Sequence, residues 1–117
     1  MLAKKGIIKV YQNFNIGYLD YNGKVLLEPK YSKIEGFEQI WNKNEGYIKV
    51  EANQKQGVIA YNSQPIIPLE YDFIDQNWNE VITSAKGLIK VGKNGKFGYI
   101  NHKAELKIPI IYDYISE

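Results

Sequence analysis

The sequence has no cysteine, no arginine and a single histidine, and each shortage removes a class of chemistry. Without cysteine there is no disulfide staple, no thiolate metal centre and no cysteine nucleophile, a composition that suits a reducing compartment. All fifteen basic residues are lysine. Arginine supplies the planar fork that reads guanine edges and grips phosphate with two bonds. Its absence counts against sequence-specific nucleic-acid readout and leaves only weak backbone attraction. Long apolar runs are missing as well. The start, MLAKKGIIKV, follows its two lysines with a short apolar run that Lys9 ends, far less than a signal-peptide core, and no later stretch approaches a membrane span. The expectation is a soluble, cytoplasmic protein.

What is present is repetition. Gly6-Ile7-Ile8-Lys9-Val10 recurs as Gly46-Tyr47-Ile48-Lys49-Val50 and as Gly87-Leu88-Ile89-Lys90-Val91, at steps of 40 and 41 residues. A second anchor follows each at a fixed distance: Gly17-Tyr18-Leu19, Gly57-Val58-Ile59 and Gly98-Tyr99-Ile100. A third keeps the register: Tyr31-Ser32-Lys33-Ile34, Tyr71-Asp72-Phe73-Ile74 and Tyr112-Asp113-Tyr114-Ile115. The 117 residues therefore read as one domain of three copies, 6–45, 46–86 and an incomplete 87–117.

Each copy reads as a three-stranded antiparallel meander, so the fold class is all-β, with three tandem repeats stacked or curled into one compact array. The clearest hairpin spans Gly87 to Asn101, where β-branched and aromatic runs flank Asn94-Gly95, a pair suited to a type I′ turn. Alternation puts Ile8 and Val10, Ile48 and Val50, and Ile89 and Val91 on the core face, with the intervening lysine outward. The third strands read as 24–27, 65–67 and 105–108, each soon ended by Pro29, Pro68 or Pro109. The segments 35–45 and 75–86, with Trp41 and Trp78, show little helical period and read as loop or a short helical turn plugging the gap between copies. The last Tyr-x-x-Ile segment could end an open array or pair near Gly6 to close a ring.

With these anchors in view the chain resembles the WG-repeat family, whose units follow Trp-Gly-Tyr-Ile-Asp, then Gly-Lys-x-Val-Ile-Pro, then Tyr-Asp-x-Ile. Copy 3 matches through Phe97-Gly98-Tyr99-Ile100-Asn101, Ile108-Pro109 and Tyr112-Asp113-Tyr114-Ile115, and copy 1 through Gly17-Tyr18-Leu19-Asp20 and Gly23-Lys24-Val25. The tryptophan that names the family is Ile16, Gln56 and Phe97 here, and its aspartate persists only as Asp20. The resemblance implies a β-rich repeat scaffold, found mostly in bacterial proteins, that serves as a binding or structural module and brings no catalytic residues.

No catalytic, cofactor or metal constellation emerges from the sequence. His102 falls in a turn, with no spacing that offers it a nucleophile and an orienting carboxylate. Glu70, Asp72 and Asp75 lack the glycine-hinged spacing of a calcium loop, and Asp72 is a repeat position shared with Asp113. Charge is uneven: 56–85 holds no lysine, while 86–107 holds six against Glu105 alone. Periodic tyrosines belong to the scaffold. Tyr11, Phe14, Trp41 and Trp78, together with Lys93, Lys96 and Lys103, are therefore the candidate interaction surface, because large aromatics dominate protein interfaces. The expected function is a non-enzymatic protein-protein interaction module without cofactors. The alternatives are a small inhibitor docking on a larger enzyme, such as a nuclease of a bacterial defence system, and a weak nucleic-acid binder.

Overall fold

A computed structural model describes residues 6–116. Met1–Lys5, part of the stretch read as too short for a leader, and Glu117 lie outside the described residues. In chain order the elements of copy 1 are β1 (Ile7–Gln12), β2 (Asn15–Asp20), β3 (Val25–Tyr31), β4 (Lys33–Ile34) and α1 (Phe37–Lys43). Copy 2 gives β5 (Tyr47–Ala52), β6 (Lys55–Ala60), β7 (Pro65–Tyr71), β8 (Phe73–Ile74) and α2 (Trp78–Ser84). Copy 3 gives β9 (Ile89–Lys93), β10 (Lys96–Ile100) and β11 (Leu106–Tyr112).

The fold is all-β, and every sheet is antiparallel. The orders are β1-β2-β3, β4-β5-β6-β7 and β8-β9-β10-β11. Sheets two and three thus each take their edge strand from the preceding copy. The Tyr-x-x-Ile anchor is that strand: Lys33 pairs with Glu51 and Ile34 with Val50, then Phe73 with Gly92 and Ile74 with Val91. Copies are therefore joined by backbone hydrogen bonds as well as by packing.

Two cores lie between the three sheets. The first gathers Tyr18, Leu27, Tyr31, Ile34, Phe37, Ile48, Val50 and Ile59; the second gathers Val58, Ile67, Tyr71, Ile74, Val81, Ile82, Ile89, Val91 and Ile100. Neighbours in β6 face opposite ways, Ile59 into the first core and Val58 into the second, as the two-residue period of a strand requires. The middle sheet is consequently buried on both faces.

The structure corrects two expectations and, for the segments read as loop or a short helical turn, decides for the helix. Pro29, Pro68 and Pro109 do not end the third strands, which run on to Tyr31, Tyr71 and Tyr112. The pairing slips instead: Tyr18 faces Leu27 while Ile16 faces Tyr31, so extra residues of β3 bulge outward and the proline sits in the bulge. The stretches 35–45 and 75–86 contain helices of seven residues each. Their buried stripe is only three side chains wide, Phe37, Ile40 and Trp41 in α1 and Trp78, Val81 and Ile82 in α2, at spacing i, i+3, i+4. Finally, Ile8 is not in a core. It is 42% exposed, because among the described residues no helix or strand covers that side of β1. Among the described residues the array is open: 113–116 forms no strand, β1 pairs with β2 alone, and the molecule measures 48 × 32 × 17 Å.

Candidate interaction surface

The scaffold first accounts for the residues that repeat. Each first hairpin turns through two residues of positive φ: Asn13 and Phe14, Asn53 and Gln54, Asn94 and Gly95. This is the type I′ backbone that Asn94-Gly95 announced. The anchor glycines Gly17, Gly57 and Gly98 lie under the bulge. A Cβ there would approach the backbone oxygen of Leu27, Ile67 or Ile108 to 2.8, 2.7 and 2.3 Å. At the second turn Asp20 Oδ1 accepts from the amides of Asn22 and Lys24 at 2.8 Å, and Asn101 Oδ1 accepts from Lys103 and Glu105 at 2.9 Å. Ala60 cannot do this, and Asn62 Oδ1 accepts from the Gln64 amide instead. These residues are explained without a ligand.

The two junctions between sheets differ. At the first, the Tyr18 ring packs 4.8 Å from Phe37, which lies stacked near Trp41, and Ile7 and Ile16 pack against the same core. At the second, Val58 stands in place of Tyr18, Tyr47 in place of Ile7 and Gln56 in place of Ile16. There the surface opens into a groove of about 560 Å³, lined by Tyr47, Lys49, Glu51, Gln56, Lys33 and Trp78, with backbone and side chains of β4 and β5 completing the wall. Gln56 holds its side-chain oxygen buried without a protein donor. A second hollow of about 450 Å³ shares Tyr47 and is lined by Tyr61, Asn62 and Pro65.

Part of the charge on the scaffold is paired. Asp72 receives the Lys55 ammonium and, at 2.8 Å, the backbone N–H of Asn94. These hydrogen bonds hold its carboxyl below the usual carboxylate value. Lys96 and Asp113 repeat the Lys55–Asp72 pair one copy later. Lys93 binds Glu70 at 3.1 Å and lies 5.4 Å over the Tyr71 ring. Glu105 is lowered chiefly by a hydrogen bond from Asn101 and next by the charge of Lys107. Burial, aided by the Glu38 carboxylate, pushes the Tyr18 phenol up to about 12, and burial also raises Tyr31 and Tyr71.

The candidate residues chosen from sequence are thus scattered over the molecule. Trp41 and Trp78 do not hold the same place: Trp78 begins its helix as Phe37 does, while Trp41 corresponds to Ile82. Trp41 is half-buried against the first core, whereas Trp78 packs on the second core and forms one side of the groove. Tyr11 and Phe14 lie on the first hairpin, 68% and 97% exposed. Lys93 and Lys96 are ion-paired, Lys103 is exposed on a turn, and His102 is half-buried beside it. The groove's partners Tyr47, Lys49, Glu51 and Gln56 escaped the sequence reading. The available signal was the departure from the repeat at Gln56 and Glu51, where copy 1 has Ile16 and Tyr11. No helix among the described residues is long and apolar enough to cross a membrane.

The profile of the family described as WG containing repeat matches residues 16–55 and 97–117. No curated protein and no solved structure matches the chain. The stretch between the two matched segments, 56–96, departs from the motif at Gln56 and Ala60 yet continues the same meander, and it adds Gln56 and Trp78 to a groove otherwise lined by residues of the first matched segment. The bulge above each anchor glycine, the Asp20 turn and the Tyr-x-x-Ile edge strands are what the repeat motif builds, and with more than half of its length matched the chain belongs to the WG-containing repeat family.

Proposed function

We propose that the chain is a non-enzymatic protein-binding module whose contact site is the groove beside Trp78. The observation that carries this reading is the groove's lining: two aromatic side chains, Trp78 and Tyr47, stand with charges of both signs from Lys33, Lys49 and Glu51. Aromatic walls accept an apolar side chain, and flanking charges of both signs suit a polypeptide better than an anion or a single small cation. The buried Gln56 oxygen can accept a hydrogen bond from a backbone N–H or lysine of an entering segment. Pairing of Lys93 and Lys96 with carboxylates leaves less positive charge for a phosphate backbone, which favours a protein partner over nucleic acid.

The test is to retain host proteins on the immobilised chain, identify the partner and remeasure binding with purified components. Trp78→Ala and Lys49→Glu should each weaken that binding about tenfold or more, equivalent to at least ~1.4 kcal/mol, while Lys24→Ala on a distant turn leaves it unchanged. Equal binding by wild type and Trp78→Ala would overturn the assignment of the groove.

A further inference from the structure

The two ends of the array carry the two strand edges that the interior pairs twice, although among the described residues no helix follows the C-terminal one as α1 and α2 follow the interior ones. Inside the molecule, the Tyr-x-x-Ile strand of one copy pairs with the outer edge of the next copy's first strand. Ser32 N–H donates to the Glu51 oxygen at 2.8 Å, and Asp72 N–H donates to the Gly92 oxygen at 2.9 Å. At one end of the molecule the corresponding edge of β1 has no partner strand among the described residues. At the other end, Asp113-Tyr114-Ile115 is not paired into any sheet.

The side chains tell the same story. Ile8 is 42% exposed where Ile48 and Ile89 are 7% and 0%, and Tyr112 is 46% exposed where Tyr31 and Tyr71 are each 5%. Repeat arrays ordinarily finish in a polar capping face, and among the described residues neither terminal face shows one. Phe14 adds an independent observation. It holds a left-handed φ of 67° with its ring 97% exposed, a costly conformation for a bulky side chain, on the hairpin turn whose copy 3 counterpart meets the preceding Asp72. Asp113 also has the setting of Asp72: each holds the lysine of its own copy, and Asp72 uses its second oxygen on the next copy's turn.

We infer that the chain associates head to tail with a second copy of itself, Tyr112–Ile115 of one molecule adding to the edge of β1 of the next. The internal registers fix the pairing: Tyr114 opposite Tyr11 and Ile115 opposite Val10, with the Asp113 carboxylate accepting from the Asn13 N–H. The interface joins two different surfaces, so it propagates into a ring or filament instead of stopping at a symmetric dimer.

The measurement is mass by light scattering and sedimentation across micromolar to near-millimolar protein. Wild type should grow from the 13.5 kDa monomer to dimer and higher species as concentration rises. Ile8→Glu, which blocks one end, and Tyr114→Asp, which blocks the other, should each stay monomeric. Mixed together they should form a one-to-one dimer and nothing larger, because each retains the end the other lacks. That rescue also proves both variants folded. A wild type that stays monomeric throughout, or an Ile8→Glu variant that still self-associates, would overturn the inference. Neither outcome bears on the groove, whose partner is read out separately.

Discussion

Ile8, Ile48 and Ile89 hold one position of the repeat, in strands of nearly the same sequence, yet only the last two are buried. Their own strands do not make the difference. Ile48 and Ile89 lie beneath a helix and an edge strand supplied by the copy before them, and among the described residues Ile8 has neither. The same contrast separates whole sheets. The middle sheet lies between two cores, while the first and third sheets each face one core and leave other apolar side chains in solvent. Burial in this fold is therefore a property of the junction, and a residue's place in the array matters as much as its place in the repeat.

The largest test of that contrast is truncation at the shared position. Ile48→Ala and Ile89→Ala should each cost about 2 to 5 kcal/mol in urea unfolding, and Ile8→Ala about 1 kcal/mol or less, because a half-exposed side chain leaves no sealed cavity. Equal losses at the three sites would break the comparison. Next in size are the anchor glycines. Gly57→Ala should cost about 1 to 3 kcal/mol by forcing a methyl against the Ile67 backbone, and more than Gly17→Ala, whose sheet has one open face to relax into.

A smaller effect of opposite sign is expected at the hairpin of the middle copy. Gln54→Gly should raise the unfolding free energy by roughly 0.5 to 1 kcal/mol, since Gln54 holds φ at 66° and glycine does so without steric cost.

The pH limits are the subtlest. Tyr18 is raised from 10.0 to about 12, so its neutral form stabilises the first junction below pH 10, and that contribution is lost as pH climbs toward 12. Tyr18→Phe should flatten this alkaline loss. Asp72 is lowered from 3.8, so its stabilisation is present above that value and disappears as pH falls through the lower folded value; Asp72→Asn should remove that part of the acid limb.

The pattern of apolar, glycine and turn residues made the three meanders legible, because each β hairpin is specified locally: Asn94-Gly95 sets the turn and alternation sets the face. The helices were not, since a stripe such as Trp78, Val81 and Ile82 is too brief to show a period over seven residues. The prolines misled for a related reason. A proline lacks the N–H of a regular ladder, and only the register slip between Tyr18 and Leu27 shows that β3 places Pro29 where none is required. The interaction surface was the least legible part. Trp78 could be singled out as a non-periodic aromatic, but Tyr47, Lys49 and Gln56 join it only where α2 comes to lie beside β5 and β6 in the folded copy, a relation that alternation along a strand does not encode.

Native-state hydrogen exchange, read amide by amide, tests the central contrast most directly. Paired amides of β5 and β6 should be the slowest to exchange, with protection approaching the global unfolding free energy, and those of β1 and β11 should open first by local fraying from the two ends. Uniform protection across all three sheets, or faster exchange in the middle sheet than at the ends, would contradict it.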